Sequence, residues 1–89
     1  MSKQTHPFSL CVEVLSVSGE LLRLEKVGSV RVLLDDGSSL GIRPGHAPLI
    51  AATRDGDLVY ELETGPQSVP IPAGILNVKD NVVSILSTY

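Results

Sequence analysis

Apolar and polar residues alternate with a period of two through most of this chain, the pattern of strands buried on one face and solvated on the other. Phe8, Leu10, Val12 and Val14 share one face, with Ser9, Cys11 and Glu13 opposite. Val30, Val32 and Leu34 alternate with Ser29, Arg31 and Leu33, and Leu58, Tyr60 and Leu62 with Val59, Glu61 and Glu63. Val69 and Ile71 read as a short edge piece, because Pro70 and Pro72 have no N–H to give a ladder. Residues 75–78 and 82–86 flank Lys79-Asp80-Asn81, a short turn of the kind that joins antiparallel neighbours. Further turn signals stand at Ser18-Gly19, Asp35-Asp36-Gly37, Asp55-Gly56 and Gly65-Pro66.

Leu21-Leu22-Arg23-Leu24-Glu25-Lys26 fits either a strand or a turn or two of helix. Strand is the better reading, since six residues make a marginal helix. The whole predicts an all-β domain, a flattened sandwich or barrel of short, mainly antiparallel strands. It occupies residues 8–89 as one unit after a flexible N-terminus at 1–7. The expected core is Leu10, Val12, Val14, Val30, Val32, Ile42, Leu58, Leu62, Ile75, Val78, Ile85 and Leu86.

One run breaks the alternation: Leu40-Gly41-Ile42-Arg43-Pro44-Gly45-His46-Ala47-Pro48-Leu49. Pro44 and Pro48 fix φ near −65° and remove backbone donors, so the segment suits neither mid-sheet nor mid-helix. Gly45 supplies a position where φ can be positive, next to a proline that pre-sets a turn. Leu40, Ile42, Ala47 and Leu49 anchor both ends. The expected result is a sharp, stiff, exposed turn on which another surface could dock.

Composition narrows the function. Eighty-nine residues make one small domain with modest stability. One Phe, two Tyr and no Trp leave an aliphatic core and few aromatic anchors for binding. A net charge of −3 with seven scattered basic residues argues against nucleic acid. Cys11 is the single cysteine, so the chain can form no internal disulfide and no multi-cysteine metal site. No stretch approaches the roughly 18 apolar residues of a membrane helix, and residues 1–7 lack the apolar core of a signal peptide. The reading is a soluble, cytoplasmic chain whose link to any membrane runs through a partner.

Catalysis finds little support. His46 is the obvious candidate, but no activated Ser or Cys, phosphate-cradling loop or paired-histidine motif accompanies it. A histidine between Gly and Ala in a proline-rich turn more often bonds a backbone carbonyl and fixes the loop. Asp35-Asp36 and Asp55-Gly56-Asp57 lack the six to eight regularly spaced oxygens that calcium takes. The reading is no metal, no cofactor and no active site. His6 needs no role in the N-terminus, and Cys11 reads as a small packing or surface residue rather than a reactive thiol.

The 40–49 run is similar to the Leu-Gly-Ile-x-Pro-Gly-His-Ala-Pro-Leu signature of the epsilon subunit of F-type rotary ATP synthases. Phe8-Ser9-Leu10-Cys11-Val12-Glu13-Val14 resembles that family's opening strand. Pro72-Ala73-Gly74-Ile75-Leu76-Asn77-Val78 resembles its later Gly-Gly-apolar-apolar-x-Val element, and Val82-Val83-Ser84-Ile85-Leu86 its closing strand. Two departures stand out. Val32-Leu33-Leu34 continues a strand where the family usually breaks it before the acidic turn, and the span from Val14 to Val30 is a few residues longer than usual.

The resemblance implies a β-sandwich on the central stalk, without catalysis of its own, that joins the gamma rotor shaft to the membrane c-ring and couples ion flow to ATP synthesis. It implies a shaft contact at Pro44, Gly45, His46, Ala47 and Pro48. It implies a ring contact at Asp35, Asp36, Gly37, Ser38 and Ser39, although Ser39 stands where an acidic residue is often found. The family's C-terminal helical hairpin, which carries inhibition of hydrolysis and in some bacteria ATP binding, has no counterpart up to Tyr89. Those two activities are therefore not expected of this sequence. The alternatives are a stand-alone β-sandwich adaptor for another protein, and an enzyme or small-molecule binder that uses His46 with Asp35 or Asp36.

Overall fold

A computed structural model describes residues 7–87. The flexible N-terminus expected at 1–7 therefore lies, apart from Pro7, outside the described residues, as do His6 and Tyr89. Nine strands follow one another: β1 (Leu10–Ser16), β2 (Gly19–Val27), β3 (Ser29–Leu33), β4 (Ser39–Ile42), β5 (Leu49–Ala52), β6 (Gly56–Leu62), β7 (Gly65–Ile71), β8 (Gly74–Lys79) and β9 (Val82–Ser87). They form a five-stranded sheet in the order β2-β1-β9-β8-β5 and a four-stranded sheet in the order β4-β3-β6-β7. All pairings are antiparallel except β1 with β9, which run parallel. The fold is the expected all-β sandwich, and 21–26 lie within a strand.

Alternation places the core between the sheets. Leu10, Val12, Val14, Val30, Val32, Ile42, Leu58, Val78 and Ile85 are buried as expected, with Leu62 packed partly buried against them. Ile75 and Leu86 are not in the core; they are 45% and 55% exposed. Period two explains both corrections. Ile75 and Val78 stand an odd number of positions apart in β8, so they face opposite ways, as do Ile85 and Leu86 in β9. Leu76 and Val83 take the inward places, and Val27 and Ile71 complete the core.

Local geometry also departs from the sequence reading in ways that can be traced. The residues flanking the 43–48 turn are strands, β4 and β5, which are only four residues long and too short to show a period. Phe8 lies in a turn before β1, and its ring occupies the space a side chain on Gly28 would need. Lys79 belongs to β8, so the hairpin turn is Asp80-Asn81 alone, with both residues at positive φ (52° and 64°). That conformation matches the right-handed twist of the two strands. The turn at Gly65-Pro66 falls two residues earlier, at Glu63-Thr64. Gly65 and Pro66 open β7, an edge strand where the prolines Pro66 and Pro70 are tolerated.

Most of the segment between Val14 and Val30 is β2. Its pairing with β1 shifts twice, between Leu10 and Val12 and between Val14 and Leu15. At each shift one more residue of β2 than of β1 is spent, and Lys26 at the first adopts φ 58°. These are β-bulges, which bend the strand without changing which face is buried beyond them.

The inward register of β8 has a measurable consequence. Leu76→Ala should lower unfolding free energy by about 2–5 kcal/mol, as deletion of a buried leucine does. Ile75→Ala should cost about 1 kcal/mol or less, in line with exposed positions. Urea denaturation of the two variants checks this, and equal losses would contradict the register.

Candidate functional site

The chain crosses from one sheet to the other at the 43–48 turn, since β4 lies in the four-stranded sheet and β5 at the edge of the five-stranded one. The turn itself closes through the His46 N–H, which donates to the Arg43 carbonyl at 3.1 Å, with Gly45 at φ 84°. This is the conformation that a Pro-Gly pair favours, with glycine taking the left-handed position. The His46 ring is half-buried, and its Nδ1 lies 2.7 Å from the Ala47 carbonyl. A carbonyl can only accept, so Nδ1 carries a proton and donates it to this bond. The histidine therefore does what its neighbours suggest: it bonds backbone and stiffens the loop. Pro44 is half-buried, while Gly45, Ala47 and Pro48 are exposed.

A residue that the sequence reading did not single out holds this turn in place. Asn81, in the β8–β9 hairpin, accepts the Gly45 N–H on Oδ1 at 2.7 Å. Its Nδ2 donates to Ser9 Oγ at 3.3 Å, and its own carbonyl accepts the Cys11 N–H at 2.9 Å. One asparagine thus joins three segments: the start of β1, the 43–48 turn and the last hairpin. The available signal was an Asn in a two-residue turn, where Asn tolerates positive φ. Nothing in the sequence indicated that its side chain would reach across 36 positions to Gly45.

The acidic loop lies at the opposite end of β4, separated from the turn by about 13 Å of strand. Residues 35–38 form the connection, and Ser39 is the first residue of β4 rather than part of the loop. Its N–H and C=O groups belong to a strand that pairs with Leu33. Asp36 Oδ1 accepts the Ser38 N–H at 2.9 Å and the Ser38 hydroxyl at 2.6 Å. The Ser38 hydroxyl and amide, aided by the charge of Arg54, hold the Asp36 carboxyl below its ordinary value. Arg54 Nη2 donates to the Asp35 carbonyl at 2.6 Å, and the Asp35 N–H donates to the Ala52 carbonyl at 3.0 Å.

Beside this loop the chain crosses back between the sheets. Buried Thr53 donates its N–H and Oγ1–H to the Gly74 carbonyl and accepts the Gly74 N–H on Oγ1. A side chain on Gly74 would collide with the Leu86 carbonyl, so glycine is required there. The Asp55 carboxylate accepts the Ala73 N–H at 2.6 Å. Thus Asp55 braces backbone. His46 and the Asp35-Asp36 pair lie at opposite ends of the sandwich, so the structure does not bring them together as a reactive set. Among the described residues no three His, Cys, Asp or Glu side chains gather where they could hold a metal ion. No helix among them is long and apolar enough to cross a membrane.

Fold and loops together define a β-sandwich domain that presents braced loops at two opposite ends. Residues 9–88 match the family model described as the ATP synthase, Delta/Epsilon chain, beta-sandwich domain, and the chain belongs to that family. It is 36% identical over 63 residues to the ATP synthase epsilon chain of Acinetobacter baylyi, covering 67% of this chain and 45% of that one. It is 35% identical over 81 residues to the epsilon chain of Solibacter usitatus, covering 91% and 59%. The chain thus spans about half the length of the curated relatives it matches. Two solved structures share the fold. A chain of the Euglena gracilis mitochondrial ATP synthase (OSCP/F1/c-ring) matches with TM-score 0.79 and 22% identity, over 100% of this chain and 56% of that one. A chain of the Tetrahymena thermophila mitochondrial ATP synthase central stalk and c-ring matches with TM-score 0.68 and 17% identity, over 100% and 67%.

Two expectations follow from the bonding. Asn81→Gly keeps the left-handed backbone but removes the side chain. It should speed hydrogen exchange at the Gly45 amide and cost about 1–2 kcal/mol of stability; amide exchange by NMR reads the first and denaturation the second. Asp36 has a lowered pKa in the fold, so its contribution to stability is present above the ordinary aspartate pKa. It is lost as pH falls through the folded value. Ser38→Ala should raise the Asp36 pKa toward the ordinary value and shrink that acid-side loss, as followed by carboxyl NMR titration. An unchanged Asp36 titration would contradict the assignment.

Proposed function

We propose that this domain is a non-catalytic, epsilon-type central-stalk component of an F-type ATP synthase. In this reading the 43–48 turn docks on the gamma rotor shaft, and the acidic loop at 35–38, with Ser39, faces the polar loops of the c-ring. The domain is then peripheral to the membrane, held on its cytoplasmic face only through the ring. Its action is mechanical, since a sandwich with loops braced at both ends transmits torque between ring and shaft without large deformation.

The observation that carries this reading is the Asn81–Gly45 bond beneath a Pro-Gly-His-Ala-Pro turn. A turn already fixed by prolines, by the His46–Ala47 bond and by Asn81 loses little freedom on docking, so more of its contact energy becomes affinity. Ala47 and Pro48 offer small exposed apolar surface that a helical shaft could bury. By contrast, Asp35 and Asp36 are exposed and must shed water for any contact they make.

Co-expression with a gamma-type subunit, followed by affinity measurement, tests the proposal. His46→Ala should weaken the complex by about 1–3 kcal/mol, through loss of a buried polar contact and of the bond that fixes the turn. Asp35→Ser should cost about 1 kcal/mol or less, as solvated rim charges do. Failure of the unaltered domain to co-purify with the shaft would overturn the reading, and equal losses from the two variants would move the shaft contact away from the turn.

A further inference from the structure

The outer face of the four-stranded sheet carries a cleft of 390 Å³ that opens next to the 43–48 turn. Its walls include Arg31, Arg43, His46, Val59 and Glu61, and Gly41 forms part of the floor. Register explains the hollow. Arg31 in β3 pairs directly with Gly41 in β4 and with Val59 in β6, so an arginine stands between a position with no side chain and a short apolar one. The Arg31 guanidinium lies over Gly41 and reaches Ser39 Oγ at 3.4 Å.

The charges in this cleft are unbalanced. Among the described residues the ion pairs all involve Arg23, with Glu13, Glu20 and Glu25. Among the described residues neither Arg31 nor Arg43 has a carboxylate within ion-pair distance, Glu61 in the cleft lining included. Two guanidiniums without a carboxylate partner beside a histidine therefore stand out on a chain whose net charge is −3. Guanidinium is the cation best shaped for carboxylate, with donors in a fixed fork.

The geometry points to this cleft as a second part of the docking surface, which takes aspartate or glutamate side chains from an acidic segment of the protein that seats on the 43–48 turn. His46 belongs to both, lining the cleft while its backbone closes the turn, so one partner can contact the two without a gap. Glu61 on β6, opposite Ser29, also lines the cleft and repels carboxylates, so the partner's acids belong at Arg31 and Arg43. The inference rests on the proposed function for the identity of the partner, and on charge complementarity for its chemistry.

The test compares the unaltered domain with an Arg31→Glu/Arg43→Glu double variant and with its Arg31→Gln/Arg43→Gln counterpart, each titrated with the gamma-type shaft subunit at low and high salt. Both positions changed are exposed arginines, so urea midpoints should stay near that of the unaltered domain. The glutamate variant should bind about ten- to a hundredfold more weakly at low salt and lose most of the salt dependence, with the glutamine variant between. Equal affinity and equal salt dependence for the domain and its glutamate variant, with binding intact, would overturn the cleft assignment and leave the proposed function standing.

A second arm separates the two claims: NMR titration of the domain with a short glutamate-rich peptide and with its glutamine counterpart. Shifts at the Arg31, Gly41 and Arg43 amides with the glutamate peptide alone support the cleft even if the shaft subunit fails to bind. Shifts of equal size with both peptides, or none in the cleft, overturn it. Stronger binding of single-stranded DNA than of the glutamate peptide would also overturn the assignment to an acidic protein.

Discussion

The structure depends on a crossing. After β4 the chain must leave the four-stranded sheet, run for four residues along the edge of the five-stranded sheet as β5, and return to start β6. Without that excursion the two sheets would share fewer covalent corners, and β5 would not cover one side of β8. Four residues of pairing hold β5 only weakly by themselves, so both corners are fixed by side chains. Asn81 holds the first through the Gly45 amide, and Thr53 holds the second through both polar groups of Gly74. Each bond satisfies backbone groups that a corner would otherwise leave without a partner.

Of the two loops used for docking in the proposed function, the 43–48 turn is the first of these corners, and the acidic loop is tied to the second through Arg54. A turn that must change sheets cannot be floppy, because its two ends are set by separate ladders. Proline at both ends of the turn removes donors that no ladder could have used there. The stiffness that a binding surface benefits from is in this sense a by-product of closing the sandwich. The acidic loop shows the same economy: Asp36 turns inward on Ser38, and Arg54 from the second corner caps the Asp35 carbonyl.

Family membership and geometry agree on what kind of object this is. The sequence match spans residues 9–88, nearly all of the described chain, and the sheets that result carry braced loops at both ends. In the proposed function, a shaft at one end and a ring at the other load the sandwich along its strands. The two guanidiniums on the outer face add a charge pattern that the turn motif alone does not contain.

Much of this was legible in the chain by itself. The period of two gave seven of the strands, including the doubtful 21–26 segment, because burial on one face leaves its mark residue by residue. The proline and glycine spacing at 44–48 gave the turn, and the place of His46 between Gly45 and Ala47 gave its bond to backbone, since those are local matters. Tertiary structure decided the rest. Strands of four residues carry too little pattern to be seen, so β4 and β5 emerged only with their partners. In β8 and β9 apolar residues stand on both faces, so only the sheet could choose Leu76 and Val83 over Ile75 and Leu86 for the core. Asn81, Thr53 and the unpaired Arg31 owe their roles to neighbours far away in sequence, and no local pattern encodes a contact whose two halves are folded together only by the crossing of the sheets.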